Sequence, residues 1–167
     1  MSYETQNFQN DETINGNEEA VNDLLYRIAH SFEKKYKVNT IATNVAMPRG
    51  IVKLLGLDFQ VRGPLSKEEI RKILIALSQD FLVSVNSDEA IKPYLENYPF
   101  EIKNIEITLF FMDSRNIRLN DPYLGIAGIS RGKLDYQILI TTDIPSIKSE
   151  FDESYEEALQ ALNRKEI

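Results

Sequence analysis

The stretch LSKEEIRKILIALSQDFLVSV, residues 65–85, decides how the rest of the chain is arranged. Ser66 followed three positions later by Glu69 is a capping-box signature, and Leu65 with Ile70 makes the matching hydrophobic staple. Ile70, Ile73, Leu74, Leu77, Phe81 and Val85 recur at intervals of three and four, while Lys67, Glu68, Lys72 and Gln79 fall opposite. The spacing predicts an amphipathic helix that needs a sheet to cover. The strongest strand in the chain, Ile102 to Met112, follows soon after it. Ile105, Ile107, Leu109 and Phe111 form one apolar face of that strand. Asn104, Glu106, Thr108, Phe110 and Met112 form a mixed face, so burial is complete on one side and partial on the other.

Upstream of the helix, Leu57, Phe59 and Val61 alternate with Asp58, Gln60 and Arg62, a strand that Gly63 and Pro64 end. Residues 38–50, broken by Asn39, Asn44, Pro48 and Gly50, read as a loop or an irregular edge. Before them Asn17 is a candidate cap for a helix with Glu18 and Glu19 in its first turn and Lys34, Lys35 and Lys37 at its end, as the helix dipole favours. Its stripe is Val21, Leu24, Leu25, Ile28, Ala29, Phe32 and Tyr36. Residues 1–16 are polar and acidic with two isolated aromatics, Tyr3 and Phe8, and read as a disordered tail ahead of a single domain over 17–164.

Downstream, Ser87 to Glu89 open one or two short turns limited by Pro93, leading into Tyr94, Tyr98 and Phe100. Those aromatics fit packing under a connection or stacking on a ligand. Tyr123–Ser130 and Lys133–Thr142 read as a hairpin across Arg131 and Gly132, with Ile129 facing Leu134, Ala127 facing Tyr136, Gly125 facing Ile138 and Tyr123 facing Ile140. Gly125, Ala127 and Gly128 call for something close by, a helix or a ligand. Pro145 and Ser146 open a last predicted helix with Phe151, Tyr155, Ala158, Leu159 and Leu162 inward and Glu150, Asp152, Glu153, Glu156 and Glu157 in water. The economical assembly is an α+β sandwich: a mostly antiparallel sheet of four strands with N-terminal, central and C-terminal helices packed on it.

Composition narrows the chemistry. The 167 residues include no cysteine and one histidine, His30. Disulfides, thiolate metal sites and cysteine nucleophiles are thereby excluded, and any histidine chemistry rests on one side chain flanked by Tyr26 and Glu33. The net charge of −7 sits at the ends, since residues 1–26 hold six acids and no base while 27–149 hold 14 acids and 17 bases. A nearly neutral body argues against nucleic acid as a main partner. No apolar run approaches the roughly 20 residues of a membrane span. The opening segment has neither the basic start nor the apolar middle of a secretory signal. The compartment is cytoplasmic by default, and an exported mature form without its leader would read the same. The loop Asp113–Pro122 lacks the alternating carboxylates and glycine of an EF-hand. Gly125 and Gly128 lie within a strand with no helix after it, so they form no dinucleotide or phosphate loop. No metal or cofactor is expected.

The helix opened by Ser66, the run Tyr94 to Phe100 and the strand Ile105 to Phe111 together resemble an uncharacterised group of small bacterial proteins of unknown function, over roughly residues 50–160. The resemblance implies no activity and no site residues. From the residues themselves, the partly polar strand faces make an open side rimmed by Tyr94, Tyr98, Arg115 and Arg118, with Glu106 among its polar positions. The expected function is a non-enzymatic binding or interaction module for a protein or small molecule, or for a second copy of the chain. The alternative is a small carboxylate-dependent hydrolase or isomerase using Glu106 or Asp135 with Tyr136 or an arginine. Strand alternation places Tyr136 opposite Asp135, against that second reading.

Overall fold

A computed structural model describes residues 12–140 and 146–164. Its helix α1 spans Glu12–Tyr36, β1 Asn39–Ala46, β2 Leu54–Arg62, α2 Lys67–Asn86, β3 Ile105–Met112, β4 Leu124–Ser130, β5 Lys133–Ile140, β6 Ser146–Ser154 and α3 Tyr155–Asn163. The six strands form one sheet in chain order. Every neighbouring pair is antiparallel except β2 and β3, which run parallel because α2 carries the chain back between them. The fold is α+β with a mostly antiparallel sheet, but with six strands rather than four.

Helix α2 begins as its sequence requires. The Ser66 hydroxyl accepts from the Glu69 amide at 3.1 Å and the Glu69 carboxylate accepts from the Ser66 amide at 2.7 Å, closing the capping box. Its inward side chains Ile70, Leu74, Leu77, Phe81 and Val85 are fully buried. They meet Leu55, Leu57 and Phe59 of β2 and Ile105, Ile107, Leu109 and Phe111 of β3 in one core cluster. Phe32 of α1 ties the layers, with ring centroids 6.1 Å from Phe59 and 6.2 Å from Phe81. At roughly 1.5–3 kcal/mol for each fully buried large apolar side chain, this two-layer contact dominates the favourable side of folding.

Both added strands are edges. Residues 39–46 form β1, exposed along most of its length and bulged between Thr40 and Ala42, which reconciles its broken sequence with strand geometry. Residues 146–154, expected as the start of a helix, form β6 against β5 instead, and α3 begins only at Tyr155. There Ser154 accepts from the Glu157 amide at 3.0 Å in a second capping box. Glu150, Asp152 and Glu153 are therefore strand residues, and Pro145 lies outside the described residues. Helix α1 starts at Glu12, earlier than Asn17. Asn17 is buried within it and donates to the Gly50 carbonyl at 3.3 Å. Tyr3 and Phe8 lie outside the described residues.

The β4–β5 hairpin turns at Arg131 and Gly132, both at positive φ (51° and 75°), the geometry of a two-residue type I′ connection. Ile129 faces Leu134 and Ala127 faces Tyr136 as the alternation predicts. Beyond them a bulge puts Leu124, not Gly125, opposite Ile138. Two glycines of β4 are set close against the chain's own backbone. A Cβ on Gly125 would stand 2.4 Å from the Leu119 carbonyl oxygen, and one on Gly128 2.6 Å from that of Ile107. Neighbouring main chain, neither helix nor ligand, occupies the space these glycines leave.

Candidate functional site

Among the described residues all three helices contribute to one core, and the opposite face of the sheet carries none of them. Its composition follows from strand alternation. One row across the sheet reads Asp58, Thr108, Gly128, Asp135, Asp152, and the next reads Gln60, Phe110, Ile126, Gln137, Glu150. One end of the face is thus acidic. Asp135 and Asp152 stand directly opposite each other, a destabilising pair that Lys133 moderates by holding Asp152 at 2.9 Å. Burial, then the charge of Glu150, raises the Asp135 carboxyl above its ordinary value.

The other end is apolar and basic. Met112, Ile126, Leu139 and Ile147 line a trough of about 370 Å³ with Arg118 on its rim. Arg118 lies over the Phe110 ring, its guanidinium carbon 4.8 Å from the centroid. Arg62 beside it donates to the Asp113 carbonyl and reaches the Asn116 side chain, and Lys148 is closed on Asp121 at 2.8 Å.

The side chains picked out from sequence do not converge. Tyr94 packs against the core, its carbonyl accepting from the Val52 amide at 2.8 Å, at the entry of β2. Tyr98 lies at that same end, exposed, with Lys92 4.2 Å from its ring centroid and its hydroxyl donating to the Asn86 carbonyl at 3.3 Å. Arg115 and Arg118 follow the far end of β3, roughly 20 Å away along a strand rising about 3.3 Å per residue. Arg115 folds back onto Asp113 at 3.0 Å. Glu106 is on the open face, but its carboxylate accepts the Ser130 hydroxyl at 2.9 Å near the acidic end. Only Arg118 and Glu106 share the open face, at its two ends.

The most buried ion pair among the described residues was hidden from the sequence. Arg71 of α2 makes a two-pronged ion pair with Glu153 of β6, at 2.6 and 2.9 Å, and Tyr136 donates its hydroxyl to the same carboxylate at 2.8 Å. The side chains are 12% and 7% exposed for Arg71 and Glu153. Burial alone would raise the Glu153 carboxyl. The hydrogen bonds from Arg71 and Tyr136 outweigh it and hold the group below the ordinary glutamate value. Burial, followed by the bond to Glu153, pushes the Tyr136 phenol well up. Lys67 sits over the Phe151 ring, and burial lowers its ammonium below the ordinary lysine value. Every carboxylate and phenol here is already bonded inside the fold, so the cluster fastens β6 to α2 and presents no free carboxylate or phenol to a substrate.

On α1, Tyr26, His30 and Glu33 form a chain of hydrogen bonds of 3.1 and 3.0 Å through the two ring nitrogens of His30. It stands on the water-facing side, with the His30 side chain 59% exposed. No group of three or more Asp, Glu or His side chains is placed to hold a metal among the described residues. None of their helices is long and apolar enough to cross a membrane. No protein-family model matches the chain, and neither does any curated protein or solved structure.

Proposed function

We propose that this protein is a non-enzymatic binding module that works through the open face of its sheet. The observation that carries this reading is the asymmetry of the fold: three helices contribute to the core on one side, while six strands present a continuous, half-apolar surface on the other. Surfaces of that kind mark interaction sites more often than bare exposure does.

The carboxylate-enzyme alternative needs acid and base groups in one pocket. Glu106 is bonded to Ser130, Asp135 lies beside the Gln137 amide at 3.1 Å, and Tyr136 is on the helix-covered side. Their dispersal supports binding over turnover.

Native mass spectrometry of the full-length protein, set against its denatured mass, tests the reading. The expected result is extra mass in the native spectrum, from a retained ligand or a second copy, that survives the Glu106→Gln/Asp135→Asn double substitution. A native mass equal to the denatured one would overturn it. So would a turnover activity lost in that double variant without unfolding.

A further inference from the structure

We infer that the trough at the Arg118 end of the open face is a site for a free aliphatic carboxylate, an anionic head on the guanidinium and a hydrocarbon tail among Met112, Ile126, Leu139 and Ile147. The inference rests on the binding-module reading and gives it a ligand class.

Three features point to this chemistry. The lining is mostly apolar and comes from four adjacent strands, β3 to β6, and the loop after β3, and a volume of about 370 Å³ lies within the usual range of small-molecule sites. At about 30 Å³ per water-sized group, that space takes a chain of roughly ten carbons. The rim holds the matching charge. Arg118 has no carboxylate partner among the described residues, whereas its cationic neighbours Arg115 and Lys148 are each paired with an aspartate. A guanidinium lying on an aromatic ring keeps its planar fork of donors and is shielded from water on one side, which favours a two-pronged hydrogen bond to a carboxylate.

The rest of the face sets polarity and direction. Asp58, Glu106, Asp135 and Asp152 lie in the rows beyond Phe110 and Ile126, with Glu150 one row nearer the trough, so an anionic head is repelled on that side and attracted at Arg118. Arg62, paired with Met112 in the sheet, adds a second positive charge at this end of the face. A cationic amphiphile would meet Arg118 and bind poorly. Ile147, about half exposed, is held at the trough by the bulge in β6 that brings it opposite Leu139.

The test uses the full chain and four probes of known chemistry in isothermal titration calorimetry: sodium decanoate, decanol, decyltrimethylammonium and acetate. Decanoate is expected to bind at one site, at least tenfold tighter than decanol, with no measurable binding of the cation or of acetate. Arg118→Met, which keeps the apolar packing on Phe110, should weaken decanoate about tenfold and leave decanol unchanged. Ile147→Ser, at a half-exposed position that does not threaten the fold, should weaken both, with far-UV circular dichroism verifying that each variant is folded. Equal affinity for decanoate and decanol, an unaffected Arg118→Met, or binding only to phosphatidylglycerol vesicles and not to free decanoate would each overturn the assignment. If decanoate fails while the native spectrum still carries extra mass, this ligand class falls and the binding module stands. If both fail, both fall.

Discussion

Glu153 and Asp135 are carboxylates on paired strands that the fold treats in opposite ways. Glu153 points to the helix side and receives Arg71 and Tyr136, while Asp135 points to the open side and receives the charges of Glu150 and Asp152. Removing one partner of a buried pair leaves the other charge uncompensated, at a cost of about 3 kcal/mol, whereas apolar replacement of both is far milder. Glu153→Leu should therefore lower the urea midpoint by an amount equivalent to about 3 kcal/mol, and Arg71→Met/Glu153→Leu should recover more than half of that loss. Equal losses in the two variants would mean that the ion pair is not what fastens β6. For Asp135 the sign reverses. Its carboxyl is raised in the folded state, so ionisation at neutral pH works against folding. Asp135→Asn should raise the urea midpoint at pH 7, and the gain should vanish below about pH 4, where the aspartate is protonated in both states.

At the scale of elements, glycines separate two kinds of constraint. Gly16 lies within α1, and a Cβ there meets nothing within 4 Å. Gly16→Ala should stabilise the protein by up to about 1 kcal/mol through helix propensity alone. Gly128→Ala should cost about 2 kcal/mol or more, because its Cβ would press on the Ile107 carbonyl, which belongs to a central strand and cannot yield cheaply. Thermal denaturation of both variants checks the contrast, and a neutral Gly128→Ala would show that β3 and β4 can separate locally. The same contrast explains what was legible in the sequence. Helix α2, strand β2, strand β3 from Ile105 onward and the β4–β5 turn were readable because cap, periodicity and turn residues all agree locally, whereas Ile102–Asn104, expected within that strand, form a 3-10 turn. Strand β6 was not. Phe151 stands four residues before Tyr155, which imitates a helical stripe, and Lys148, Glu150 and Asp152 are the charges that edge strands carry. The Ser154–Glu157 box held the correct start of α3, with the same spacing as Ser66–Glu69. Edge strand β1 was legible only as an irregularity, since its apolar Ile41 and Val45 are exposed and its half-buried positions are the polar Thr40 and Asn44. Of the site, the mixed face of β3 could be read from alternation. The Arg71–Glu153 pair could not, because its members are 82 residues apart and neither marks the other locally.

Across the whole molecule, the layers are joined by carboxylates as well as by the core. Asp80 of α2 accepts from Lys35 at 2.7 Å and from the Tyr36 hydroxyl of α1. Asp88, just past α2, accepts from Arg27 of α1 at 2.7 Å, and Glu153 of β6 is held by Arg71 of α2. For all three, burial would raise the carboxyl, but the partners outweigh it and leave the folded value below the ordinary one. The unfolded chain then binds more protons than the folded chain in the acid range. Stability from these groups is fully present above the unfolded carboxyl values, near pH 4, and is lost as pH falls through the folded ones. The raised Asp135 carboxyl has the opposite sign but is one group against three. The urea midpoint should therefore stay level from pH 7 to about pH 5 and fall steeply below about pH 4. Asp80→Asn/Asp88→Asn removes both carboxylate ties to α1 named above, so it should lower the plateau and flatten the acid limb together. A lower plateau with an unchanged limb would place acid sensitivity in Glu153 alone, at the β6 end of the sheet. A limb unchanged in that variant and in Glu153→Leu would mean that acid acts through the chain's overall charge rather than through the ties between its layers.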